Sequence, residues 1–112
     1  MNAELKKYLS DILVCIDEIK IVSLKIKSWE DIKNDFVLKR VLEREFEIIG
    51  EALNKCQKSD PDIKIREIKR IIGLRNLIIH SYDTVDYFML WQIIKEHLQH
   101  LEDDVNAIFK ES

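Results

Sequence analysis

Two glycines and one proline in 112 residues leave this chain almost without the residues that break helices and shape tight turns. Such a sequence can hold long helices, but not the many turns of a β-sandwich or barrel. Cysteine is equally scarce. Cys15 and Cys56 stand far apart, in no CxxC or Cys/His metal spacing, and read as two buried reduced thiols of a cytoplasmic protein. No apolar run approaches the roughly 18 residues a membrane span needs. The opening MNAELKKYLSDILVC is charged through its first turns, unlike a signal peptide. Several signatures of enzyme chemistry are missing as well. There is no Glu-x-x-His pair for a di-metal centre, no glycine-rich phosphate loop, no GxSxG elbow and no HExxH.

What the chain does have is 46% apolar and 35% charged residues with a formal net charge of −3, the balance of a soluble folded domain. Residues 1–112 are expected to form one domain. The net charge argues against a protein that coats nucleic acid, but the charge is uneven. Lys64, Arg66, Lys69, Arg70 and Arg75 face only Glu67 in their stretch, whereas the end of the chain is acidic. That basic segment is either a solvated helix face or a surface for a phosphate backbone.

Apolar spacing predicts four main helices. Leu5, Leu9, Ile12, Ile16 and Ile19 recur at intervals of four and three over about Ala3 to Lys25. Ser28 with Asp31 marks a short helical turn, and Asp35 caps the next helix, about Phe36 to Gln57, striped by Leu38, Val41 or Leu42, Phe46, Ile49, Leu53 and Cys56. Gly50 inside that stripe suggests a close approach by another backbone, since a helical glycine costs about 1 kcal/mol relative to alanine. After the loop Lys58 to Asp62, a third helix is expected from about Ile65 to Ile79 or Ser81. Its apolar residues wrap more than one face, as for a central helix, and Gly73 again suggests close packing. A last helix, about Tyr87 to Phe109, carries Phe88, Trp91, Ile94, Leu98, Leu101, Val105 and Ile108, with Thr84 or Asp86 as its cap. No period-2 alternation appears. The fold class is all-α: an up-down four-helix bundle with an additional short helix.

Two places gather polar chemistry. His97 and His100, one helical turn apart, together with Asp104 make a weak candidate metal site. The richer one is GLRNLIIHSYDTVD, Gly73 to Asp86. Arg75 lies between Ile72 and Ile79, so its stem follows an apolar stripe and its guanidinium needs a carboxylate, a phosphate or water. Glu47 and Glu51 are available carboxylates. Asn76 and His80 are stacked at i and i+4. Arg75 and His80, five apart, point about 140° away from each other on an ideal helix. Either the helix loosens near His80, or two copies of the chain complete one site across a symmetric interface. A histidine favouring the helix end and an arginine in a structural ion pair account for the same spacing.

Arg75-Asn76-x-x-x-His80-x-Tyr82 resembles the R-x4-H-x-Y signature of HEPN-domain proteins. Phe46-Glu47-Ile48-Ile49-Gly50-Glu51-Ala52 and Gly73-Leu74-Arg75-Asn76 resemble flanking motifs of the HepT-like (DUF86) subgroup, and the three stand in register along nearly the whole chain. The resemblance implies a homodimeric helical bundle that acts as a toxin: a metal-independent endoribonuclease needing no cofactor, with RNA as substrate. It implies a nucleotidyltransferase antitoxin as partner, which transfers AMP onto Tyr82. In that frame His80 is the general acid/base, Arg75 stabilises charge on phosphorus, Asn76 orients, and Lys69 and Arg70 hold flanking phosphates. The alternative is a non-catalytic helical partner or substrate-binding module for a nucleotidyltransferase.

Overall fold

The computed structural model describes residues 1–80 and 85–111; Tyr82 and Thr84 lie outside them. Among the described residues there are six helices and no strand: α1 (Ala3–Ser23), α2 (Trp29–Lys33), α3 (Phe36–Ser59), α4 (Ile68–His80), α5 (Tyr87–Glu96) and α6 (Leu98–Lys110). Together they make the up-down bundle with one short extra helix, the last long helix being divided in two.

Local chemistry sets most of the helix starts. Asn2 Oδ1 accepts from the Leu5 N–H at 2.7 Å, Asp35 Oδ1 from Leu38 at 3.0 Å, and Asp86 Oδ1 from Met89 at 3.0 Å. Each satisfies an amide that a helix start leaves without a partner. Asp31 Oδ2 accepts from the Lys27 and Ser28 amides and fixes the start of α2. α4 begins three residues later than its apolar pattern suggests. There the Arg66 N–H is taken by Asp104 Oδ2 of α6 at 2.9 Å.

α3 is the central helix. Its 24 residues run about 36 Å along a molecule whose long axis is 42 Å, and it packs against α1, α2 and α4. This corrects the expectation that the Ile68–His80 helix is central. α4 has α3 as its main neighbour, against which it buries Ile68, Ile71, Leu74 and Ile78. Its remaining apolar positions stay partly open, with Leu77 40% exposed and Ile72 and Ile79 half-buried. The pattern wraps the helix although this chain covers only one side.

The final helix is likewise not continuous. His97 interrupts it, and no proline or glycine stands at the break. The interruption resets the buried face: Leu90 and Ile93 are buried before it, and Leu98, Leu101 and Val105 after it. The five-residue step from Ile93 to Leu98 turns the stripe by about 140°, letting α5 pack on α2 while α6 packs on α1. Of the predicted stripe, Trp91 is therefore only partly buried against the core and Phe88 is outside it. Phe88 is half-exposed, with its ring edge-on to Trp29 at 6.4 Å between centroids.

Cys15 and Cys56 are free and buried. Burial pushes their thiols up, to about 12 and about 11, so neither is a reactive thiolate near neutral pH. No helix among the described residues is long and apolar enough to cross a membrane.

Candidate functional site

The site is built where α4 crosses α3 at Gly50. A Cβ placed on Gly50 would stand 2.5 Å from Arg75 Cβ and 2.7 Å from Arg75 Cγ. The glycine thus makes room for a side-chain stem rather than for a backbone. With its stem laid over Gly50, the Arg75 side chain is only 26% exposed, and Nη2 reaches Glu51 Oε2 at 2.9 Å. Nη1 donates to Asn76 Oδ1 at 3.1 Å. Nε is buried with no hydrogen-bond partner among the described residues. Of the two carboxylates available in sequence, Glu51 is the one used. The guanidinium is fixed on one edge and keeps further N–H donors for another acceptor.

α4 stays helical through His80. The 140° offset between Arg75 and His80 therefore survives, and loosening of the helix at His80 does not bring them together. Arg75 turns inward onto α3, while His80 is exposed. Lys69, Gly73, Asn76 and His80, at steps of four, three and four, share one exposed face of α4. Among the described residues nothing comes within 4 Å of a Cβ built on Gly73. They do not supply the close packing expected at that glycine, which stands in open space among them at the middle of the polar face.

Lys69 and Arg70 are not equivalent. Arg70 Nε donates to Glu67 Oε2 at 3.2 Å, whereas Lys69 is exposed on the same face as His80. Arg66 is likewise committed, its guanidinium holding Asp104 at 3.1 Å. Burial acts to raise the Asp104 carboxyl, but the hydrogen bonds and charge of Arg66 outweigh it and hold it below the usual range. Asp104 is thus bound to Arg66 rather than joined to His97 and His100. The carboxylate beside the histidines is Glu67, which the sequence pattern did not single out.

Further side chains come to the site from α3. A cleft of about 370 Å³ beside the C-terminal half of α4 is lined by Arg40, Glu43, Arg44, Glu47, Ile78 and Val85. Arg40 pairs with Glu43 at 2.8 Å, and Arg44 forms no ion pair among the described residues. Arg44, Glu47 and Glu51, at steps of three and four, share one face of α3. That spacing was the available signal, but it acquires meaning only once α4 is known to cross at Gly50.

Comparison with known proteins bears on the fold and the family. The family model described as Ribonuclease HepT-like matches residues 12–108. A provisionally named RNase of Methanocaldococcus jannaschii is 32% identical over 109 residues, covering 94% of this chain and 96% of its own. A protein of Thermococcus cleftensis, provisionally named ribonuclease HepT, is 34% identical over 114 residues and is matched along 98% of this chain and 100% of its own. The fold superposes on a Shewanella oneidensis HEPN toxin, solved tri-AMPylated in complex with an MNT antitoxin. That likeness has a TM-score of 0.77 and 18% identity over 98% of this chain and 99% of that one. With the family pattern running from the middle of α1 almost to the end of α6, the chain belongs to the HepT-like ribonuclease family.

Proposed function

We propose that this protein is a metal-independent endoribonuclease toxin whose active site is completed by a second copy of the chain. The observation that carries this reading is the arrangement of α4. Arg75 is pinned inward by Gly50 and Glu51, while His80 is turned outward on a helix that stays regular between them. One chain presents the two groups to different directions; two chains related by a twofold axis can present them to one phosphate. The uncovered apolar positions Ile72, Leu77 and Ile79, and the open space at Gly73, support a second body against α4.

RNA carries its own nucleophile. The 2′-oxygen forms a bond to phosphorus as the bond to the 5′-oxygen breaks, and a proton must leave the first oxygen and reach the second. His80 serves one of these transfers, as an imidazole can both accept and donate a proton. The remaining donors of Arg75 meet the charge that builds on the phosphoryl oxygens. Asn76 holds the guanidinium from the side. Lys69, and Arg44 from the neighbouring cleft, meet flanking phosphates; Arg70 is the weaker contact because Glu67 holds it.

The partner is a nucleotidyltransferase antitoxin, as in the complex of the Shewanella relative. Its reaction joins the Tyr82 oxygen to the α-phosphorus of ATP and releases pyrophosphate. The AMP so placed, two residues from His80, blocks RNA by bulk and by charge.

A second reading rests on the Arg75–Glu51 pair, which also suits a purely structural arginine. In it the chain is a non-catalytic helical partner that keeps the dimer and the Tyr82 modification. Cleavage of cellular RNA by purified protein, compared among wild type, His80→Ala and Arg75→Ala, separates the two. The nuclease reading expects loss of cleavage in both folded variants, by about 100-fold or more. Equal inertness of wild type and His80→Ala would leave the second reading standing.

A further inference from the structure

At the opposite end of α4 from His80, three side chains from two separate parts of the chain converge. Glu67 precedes α4, His97 stands at the break between α5 and α6, and His100 lies in the first turn of α6. The Glu67 carboxylate is nine-tenths buried, with His97 Nδ1 3.0 Å from its Oε2 and His100 Nδ1 3.8 Å from its Oε1. Ligand atoms of all three residues lie within 4.8 Å of one another.

Two further observations say what the cluster is for. His97 Nδ1 is buried and makes no hydrogen bond among the described residues, although Glu67 is at hydrogen-bond distance. Glu67 Oε2 accepts from Arg70 Nε instead, which leaves His97 Nδ1 open to a third atom. His97 also stands at the start of α6 without capping it. Its side chain leaves the helix end uncapped and goes to Glu67 instead.

We propose that Glu67, His97 and His100 bind one divalent transition-metal ion of the zinc class. Ligand atoms about 2.0–2.2 Å from a tetrahedral zinc are roughly 3.4 Å apart, and the two contacts with Glu67 bracket that spacing. Two imidazoles and one carboxylate suit zinc and its neighbours, whereas magnesium and calcium want oxygen ligands throughout. His100 is half-exposed, so the fourth position faces solvent and takes water. Arg70, donating to Glu67 Oε2, orients the carboxylate from the outer shell.

The ion is structural. Along α4 it sits about 20 Å from His80 and takes no part in RNA cleavage. Its effect is to fasten the start of α4 to the α5–α6 junction, beside the tie that the Arg66 side chain makes to Asp104 of α6.

The test uses the purified full chain, stripped with chelator and titrated with zinc by calorimetry and with cobalt by visible absorption. The expected result is one ion per chain at micromolar affinity or better, with cobalt bands of a tetrahedral site. His100→Ala, a half-exposed position whose loss leaves the fold intact, and Glu67→Gln each weaken zinc binding at least tenfold. Zinc raises the Tm of wild type and not of His100→Ala. Binding only at millimolar zinc, binding unchanged in both variants, or cobalt that stays octahedral would each overturn the site. Circular dichroism of the variants confirms that a loss of binding is not a loss of fold.

Discussion

Gly50 on α3 and Arg75 on α4 share one space: a Cβ on the glycine would stand 2.5 Å from the Cβ of the arginine. The contact sets how closely the two helices approach and where the guanidinium lies. Gly50→Ala must push the arginine stem aside or part the helices. Overpacking of this kind costs about 1–3 kcal/mol, which thermal unfolding measures. RNA cleavage should fall toward the level of Arg75→Ala, because the guanidinium leaves Glu51. A variant as stable and as active as wild type would show that this contact does not position the arginine.

Gly73 gives the opposite sign. Alanine there meets nothing among the described residues, and an exposed helical alanine stabilises by about 0.5–1 kcal/mol over glycine. If α4 packs on a second copy, the same methyl group intrudes on the interface. Gly73→Ala is therefore expected to raise the stability of the separate chain while weakening the dimer and its cleavage of RNA. Sedimentation across a concentration series, alongside denaturant unfolding, reads both effects. An unchanged dimer with raised stability would remove α4 from the interface.

These two glycines also show what could be read from residue order. Each looked like a close approach, and only the packing of α4 on α3 distinguishes the one that is. Caps such as Asn2, Asp35 and Asp86 bond three residues ahead, so the relevant chemistry is written within a few positions. The Arg75–Glu51 pair spans 24 residues and depends on how one helix is rotated against another. The stripe Trp91, Ile94, Leu98 was regular in sequence, yet the break at His97 shifts the buried face to Leu90 and Ile93. Glu67 was invisible as a partner of His97 for the same reason: periodicity describes one helix at a time.

Glu45 supplies a pH dependence. It is buried beside Glu18, and burial first, then the neighbouring carboxylate, raises its carboxyl to about 7. The folded state holds this proton more tightly than the unfolded chain, where a glutamate titrates near about 4.3. The stabilising contribution is fully present below that value and is lost as pH rises through about 7. Glu45→Gln, which cannot ionise, is expected to flatten the stability profile between about pH 4.5 and 7 and to exceed wild type above it by roughly 1–3 kcal/mol. Denaturant midpoints measured from pH 4.5 to 8 test this. Parallel profiles for the two proteins would mean that Glu45 is ionised in the fold.

The tyrosines yield the last prediction: the chain has three, and the two among the described residues are both engaged. Tyr8 donates its hydroxyl to Glu4 Oε1 at 2.9 Å, and Tyr87 donates to Glu43 Oε2 at 2.6 Å. The bond to Glu4 raises the Tyr8 phenol, and burial with the bond to Glu43 pushes Tyr87 up to about 12. Both hydroxyls are tied to carboxylates of their own chain, whereas the proposed reaction takes the tyrosine two residues from His80. Incubation with the cognate nucleotidyltransferase and ATP should therefore place AMP on Tyr82, located by peptide mass spectrometry and abolished in Tyr82→Phe. Tyr87→Phe should still be modified, with a stability loss of about 1–2 kcal/mol from the missing hydrogen bond to Glu43. Adducts on Tyr87 or Tyr8, or modification that persists in Tyr82→Phe, would refute the assignment of Tyr82 as the point of control.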